Sequence, residues 1–256
     1  MLIRFRLSLY TATSDVEKAF LQVRLHEMDR DATRVLWIRN IDQPIADDNI
    51  VTYRFTRVTF GLNVSPFLLA GTIHHHLSNA VSNKSFAQEI RVKLYVDNLV
   101  LSADTQKDLS NKITASRQIF ADMNMNLREF LANRVNLKNI IPAEACAQKD
   151  QQKVLGIRCN AANDSLHIAC SVEATSKATK RTVARQIASI YDPLGWLVPL
   201  LTRAKHFQQT LWKHNFGWDT PLPENFEDSW NKIAEEINGF QRTIPRRLLE
   251  PPAHST

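Results

Sequence analysis

The chain has 256 residues, of which 44% are hydrophobic and 23% charged. That composition excludes a disordered or fibrous chain and leaves room for one large folded domain or two small ones. A formal charge of +6 permits a polyanionic partner without requiring one. Cys146, Cys159 and Cys170 lie far apart with no C-x-x-C, which points away from a zinc site or a disulfide framework. A reducing, intracellular and cytoplasmic setting is therefore expected. No run is long and apolar enough to span a membrane, and the N-terminus lacks a signal-peptide core, so no membrane partner is expected.

In chain order, Leu2–Leu7 reads as a strand from the second residue, which suggests a piece of something longer. Ser14–Val23 turns helical, with Val16, Ala19, Phe20 and Val23 on one face. Ser14 or Asp15 would then be an ordinary N-cap. Val35–Ile38 is a strand, and Val51, Tyr53 and Phe55 alternate with polar residues, giving a hairpin across the loop 40–49. Ser65 as N-cap and Pro66 at the first helical position announce a helix over 66–78, whose Leu69, Ile73 and Leu77 face the core. His74, His75 and His76 on that helix point about 100° apart, which does not suit a shared metal.

Ile90, Val92 and Leu94 alternate with Arg91 and Lys93, and Leu99-Val100-Leu101 follows a short polar turn. The pattern predicts a β-hairpin with Tyr95-Val96-Asp97-Asn98 at its tip. Most Asp-Asn pairs in turns serve turn chemistry. A helix spans 105–123, a polar stretch runs from 128 to 142, and 153–157 and 165–169 are short strands. From Ser171 the reading is helical: Val183, Ile187 and Ile190 mark one helix, Leu200, Ala204, Phe207 and Leu211 a second, and Phe226, Trp230, Ile233 and Ile237 a third. Lys177, Arg181 and Arg185 line one face of the first, the pattern of a solvated surface or of a nucleic-acid backbone contact.

Asp15 and Asp97 are strand-end carboxylates that can meet in neighbouring strands of a small antiparallel sheet. Two close carboxylates bind hard cations such as Mg²⁺ and leave coordination positions for water and phosphate. Two such ions can activate a 3′-hydroxyl and stabilise a leaving pyrophosphate, the chemistry of nucleotidyl transfer.

The stretches Ser14–Val23, Tyr53–Phe67 and Tyr95–Leu99 resemble the palm motifs of retroelement reverse transcriptases. Asn126-Leu127-Arg128-Glu129-Phe130, Val154-Leu155-Gly156-Ile157 and Ile190-Tyr191-Asp192-Pro193-Leu194-Gly195 resemble the BEL/Pao group of long-terminal-repeat retrotransposons. The resemblance covers nearly the whole chain. It implies an α+β fold, an antiparallel palm sheet backed by helices, over residues 1–150 with the fingers largely absent. Primer-grip-like strands would follow over 151–175, a mainly helical thumb and connection over 176–249, and a tail over 250–256.

The same resemblance implies the roles. Asp15 and Asp97 would be the metal carboxylates, with the Val16 carbonyl an auxiliary ligand and Mg²⁺ or Mn²⁺ the cofactor. Phe20 would block a ribose 2′-hydroxyl. Phe60, Gly61 and Tyr95 would bind the nucleotide, and Ser65, Pro66, Leu155, Gly156, Lys177, Arg181 and Arg185 the primer and template. The implied partners are an RNA or DNA template with primer and deoxynucleoside triphosphates, in a particle for an intact element.

Two departures stand out. Asn98 occupies the turn position where the family has a second aspartate, which removes one negative charge beside the metals. The fingers, with their basic grip on the triphosphate, are almost absent, as are ribonuclease H, integrase and protease domains. A lesser departure is Thr59, where relatives often carry proline. Two readings follow: an impaired RNA-directed DNA polymerase, or a catalytically dead remnant that binds nucleic acid or acts as a scaffold. Self-association through the amphipathic segment 171–249 would favour the scaffold.

Overall fold

The computed structural model describes residues 1–148, 151–174 and 177–248. The tail read over 250–256 lies outside them. The chain is α+β with antiparallel sheets and divides into two units. The first comprises Met1–Leu155, Ala161–Asp164 and the segment from Arg246; the second comprises Gly156–Asn160 and Ser165–Pro245.

The first unit opens with a helical turn, α1 (Leu2–Phe5), where a strand was expected. No strand pairs with this segment among the described residues. Phe5 is its buried side chain, and Arg6 Nε donates to the Arg246 carbonyl at 2.9 Å. Strand β1 (Tyr10–Val16) then takes up Ser14 and Asp15, so the helix expected over 14–23 shrinks to one turn, α2 (Ala19–Gln22). Neither residue is an N-cap: Lys18 enters α2 at φ 48°. Two flanking ladders hold β1, and that pairing outweighs the local helical periodicity. Val16, Ala19, Phe20 and Val23 are nonetheless all buried.

Strands β2 (Arg34–Ile38) and β3 (Ile50–Arg54) form the expected hairpin, paired from Arg34↔Arg54 to Ile38↔Ile50. Helix α3 (Ser65–Asn79) buries Leu69, Ile73 and Leu77 completely. Its N-cap is Val64 rather than Ser65, whose hydroxyl donates to the Thr59 carbonyl at 2.5 Å. The run before the Asp97 turn is also helical: α4 (Lys84–Lys93) leaves only β4 (Leu94–Tyr95) as the first arm of that hairpin. Asn83 caps α4 by accepting from the Phe86 N–H, and Phe86, Ala87 and Ile90 form its buried stripe. Alternation over five residues was too short to exclude that face.

Strand β5 (Asn98–Ala103) leads to α5 (Gln106–Ala121), capped by Thr105 and burying Leu109, Ile113 and Phe120. The stretch read as polar from 128 contains β6 (Leu127–Ala132), with Leu127, Phe130 and Leu131 buried. Strand β7 (Gln151–Val154) ends at Leu155-Gly156, both at positive φ (46° and 85°), which breaks the single strand expected over 153–157. The main sheet has the order β4-β5-β1-β6, so β1 is central. Ala12, Val16, Leu99, Leu101 and Leu127 join α3 and α5 in one core. Thr13 and Asp15, at the alternate positions, take the opposite face.

In the second unit, β8 (Ile157–Asn160), β9 (Ser165–Cys170) and the later β10 (Phe240–Pro245) pair antiparallel in the order β10-β9-β8. The expectation of a mainly helical segment after Ser171 did not include β10. Its burial is slight, so its sequence carries no clean apolar alternation. Gly156 is fixed by its neighbour as well as its φ, because a Cβ there would lie 2.5 Å from the Tyr191 ring.

Three helices complete the unit: α6 (Lys180–Ser189), α7 (Val198–Lys213) and α8 (Glu224–Ile237). Leu201 rather than Leu200 is the buried residue that leads the α7 face, followed by Ala204, Phe207 and Leu211. Trp230 is wholly buried and stacks on Phe207 at 5.7 Å between centroids. Lys177 precedes α6, so the expected row of three cations on one helix reduces to Arg181 and Arg185. Arg181 is held by Asp219 through two bonds of 2.6 and 2.9 Å.

Candidate active site

The two carboxylates singled out in the sequence meet in the first unit. Asp15 pairs with Asn98 across β1 and β5, and the Val16 N–H donates to the Asp97 carbonyl at 2.9 Å. The Asp97 turn is thereby hydrogen-bonded to the end of the strand that carries Asp15. On its other side Asp15 pairs with Arg128 on β6, next to a register shift between Thr13 and Asp15. Such a bulge re-aims side chains at a sheet face. Val96 at φ 56° makes the tip of the turn, and Tyr95 beside it is exposed.

Burial first, then the like charges of Asp97 and Glu129, raise the pKa of Asp15 above the ordinary carboxylate value; Arg128 partly offsets them. Asn98 turns its amide to Asp97, with Nδ2 donating to Oδ1 at 2.8 Å. Among the described residues no group of three or more His, Cys, Asp or Glu side chains is placed to hold a metal. Two carboxylates close enough to feel each other's charge are the oxygen donors a hard dication takes, and Asn98 beside them adds an amide rather than a third carboxylate.

The raised pKa has a consequence for stability. Folding favours the protonated Asp15, so stability falls as pH rises from the unfolded carboxyl's pKa, about 3.9, through the higher folded one. Asp15→Asn is expected to raise the urea midpoint at pH 7 in metal-free buffer. The gain should vanish near pH 3, where the carboxyl is protonated in both states. An unchanged midpoint at pH 7 would contradict the electrostatic account.

A cavity of about 330 Å³ lies beside Asp15, lined also by Asn98, Arg128, Glu129, Gln152 and Lys153 among others. Sequence reasoning missed Arg128, Glu129, Gln152 and Lys153 as site residues. Glu129 sits at φ 55° within β6, and Gln152 Nε2 donates to its carbonyl at 3.3 Å and to Oε2 at 3.4 Å. The available signal was the apolar spacing of Leu127, Phe130 and Leu131, which marks the strand that carries the first two. Gln152 and Lys153 fell within segments already expected to be extended.

Just beyond the Asp15 end of β1, on α2, Phe20 is buried, and its ring meets the exposed Phe60 edge-on at 5.0 Å. Gly61 follows at φ 89° with open space around its Cα. Ser65 and Pro66 start α3 as described, with Ser65 buried against Thr59 rather than open to a ligand. Leu155 and Gly156 form the break after β7, and Lys177, Arg181 and Arg185 belong to the second unit.

An α+β chain with a central antiparallel sheet and an aspartate pair at neighbouring strand ends is compatible with a template-directed polymerase domain. Residues 5–158 match the family model described as reverse transcriptase (RNA-dependent DNA polymerase), and the chain belongs to that family. Residues 179–256 match the Pao retrotransposon-like RNaseH-like domain. Together the two matches identify a reverse transcriptase of the Pao/BEL retrotransposon type. The second covers the region read in the sequence as thumb and connection, in which no ribonuclease-H-like domain had been expected. No curated protein matches the chain.

Proposed function

We propose that this chain catalyses RNA-directed DNA synthesis, adding deoxynucleotides to a primer 3′-hydroxyl at Asp15 and Asp97. The observation that carries the reading is the convergence of these carboxylates through the β1–β5 register and the Val16–Asp97 hydrogen bond. Asp15, Asp97 and the Val16 carbonyl would hold Mg²⁺ or Mn²⁺. Bound there, the cation lowers the pKa of the 3′-hydroxyl and neutralises charge on the phosphates.

The chain's own residues supply position. The β4-β5-β1-β6 sheet is the palm, rigid because β1 is bonded on both sides, and it fixes where the carboxylates point. Phe20 stands under the nucleotide site with Phe60 against it, so a ribose 2′-hydroxyl meets a ring instead of water. Gly61 and Tyr95 border the nucleotide, and Ser65 and Pro66 start the helix that supports the template. Leu155 and Gly156 contact the primer, and Arg181 and Arg185, within the segment that matches the RNaseH-like domain, contact the nucleic-acid backbone. Arg128 and Lys153 add positive charge at the cavity beside Asp15. A cytoplasmic, particle-associated setting fits this chemistry.

Asn98 makes the site impaired rather than absent, since its amide takes up a lone pair of Asp97 that a metal would use. Mn²⁺ titration followed by electron paramagnetic resonance tests the reading. The native chain should bind the ion, and Asp97→Ala should weaken binding at least about ten-fold by removing a hard oxygen donor. Equal binding by both would overturn it.

A further inference from the structure

The second unit carries an aromatic corner that the proposed polymerase site does not use. Trp212, in the last turn of α7, and Trp218, in the loop after it, meet edge-to-face at 5.5 Å. Both are exposed, at 41% and 49%, which is unusual for so large an apolar side chain. Their placement is fixed from behind. Lys180, nearly buried on α6, lies 4.1 Å from the Trp212 ring centre and 5.4 Å from that of Trp218, and donates to the Phe216 carbonyl. The Arg181 N–H donates to the Trp218 carbonyl at 3.0 Å, and the Arg181–Asp219 pair clamps the same loop.

An open cavity of about 430 Å³ adjoins Trp212, lined by Gln208, Gln209, Trp212 and Lys213 and almost wholly apolar. We propose that this corner is a stacking platform for an unpaired nucleobase of a single-stranded nucleic acid. The indole supplies a sequence-tolerant π-face. The aliphatic stems of Gln208 and Gln209 line the hollow beside the ring. Lys213 and Lys205, eight positions earlier on the same helical face, supply cations for the flanking phosphates. That charge favours a polyanion over an apolar peptide. The indoles are already held by α6 and the clamped loop, so stacking costs little ordering.

This inference rests on the reading of the chain as a nucleic-acid enzyme, and the test separates the two. Fluorescence anisotropy of the full chain is measured with a labelled 20-nucleotide single strand and with a blunt duplex of the same sequence. Trp212→Leu, which keeps an apolar contact for Lys180, should weaken single-strand binding about ten-fold and leave duplex binding unchanged. The slope of log affinity against log salt should stay the same, because no charge is lost. Trp218→Leu, at the other exposed indole of the corner, should weaken single-strand binding several-fold and serves if Trp212→Leu fails to fold. Single-strand affinity equal to native in a folded variant would overturn the platform while leaving the polymerase reading intact. Loss of self-association in Trp212→Leu with native oligonucleotide affinity would reassign the corner to a second copy of the chain. No binding to either nucleic acid would overturn both readings.

Discussion

Asn98→Asp is expected to raise RNA-templated primer extension about 100-fold or more over the native chain. Two effects act together. The substitution adds a full negative charge where the proposed cation would sit, and it removes the amide N–H that occupies Asp97 Oδ1 at 2.8 Å. Preorganised electrostatic groups at such sites are worth about 3–4 kcal/mol each in the barrier. The backbone needs no adjustment, since Asn98 already lies opposite Asp15 in the β1–β5 register and the two side chains share a shape. Single-turnover extension of a labelled primer, with saturating Mg²⁺, reads the change. A rate within about three-fold of native would mean that the amide serves as well as a carboxylate.

Arg246→Ala is expected to destabilise the first unit by about 3–5 kcal/mol, the loss typical of breaking a buried ion pair from one side. Arg246 is 1% exposed. Its Nε bonds Asp164 Oδ1 at 2.5 Å, and its Nη2 bonds Asp164 Oδ2 at 3.1 Å and the Ser8 carbonyl at 2.9 Å. Nη1 donates to the Phe5 carbonyl, and the Arg246 N–H donates to the Asp164 carbonyl at 2.9 Å. The guanidinium thus ties the N-terminal turn to Asp164 within one unit. Truncation leaves a largely buried carboxylate with only the exposed Arg134, at 4.0 Å, to face it, and takes the donor from the Phe5 and Ser8 carbonyls, which costs more than the pair contributes. Chemical denaturation should show a lower midpoint for Arg246→Ala, with Arg246→Lys recovering only part because lysine cannot fork. A midpoint unchanged from native would show the cluster to be incidental.

The elements legible in the sequence are those whose signal is local and long. Leu69, Ile73 and Leu77 in α3, Leu109, Ile113 and Phe120 in α5, and Trp230, Ile233 and Ile237 in α8 repeat over about two to three turns, and each set is buried. What escaped reading depends on distant partners. Ser14 and Asp15 follow a helical pattern locally, yet β5 and β6 claim them for a sheet. Residues 90–93 alternate like a strand, yet the Asn83 cap and the Phe86–Ile90 stripe make a helix. Arg128 and Glu129 reach Asp15 only through the β1–β6 pairing, which no local periodicity announces.

The candidate site was legible for a different reason. Motif text around Asp15 and Asp97 named the pair before any geometry, and the β1–β5 register then set them at neighbouring strand ends. That text says nothing of how Glu129 burdens Asp15, or that Asn98 turns inward to Asp97, because both depend on side-chain placement. The basic row was misjudged because residue spacing alone cannot locate a helix start; Thr179 caps α6 and leaves Lys177 outside.

The most direct test of the central claim compares Asn98→Asp with the double substitution Asn98→Asp/Asp15→Asn in primer extension on an RNA template. Both proteins should fold, since Asp15→Asn relieves repulsion rather than creating it. The account predicts extension by the first and none above background by the second. Equal extension by both would contradict it and place the polymerase chemistry somewhere other than Asp15 and Asp97.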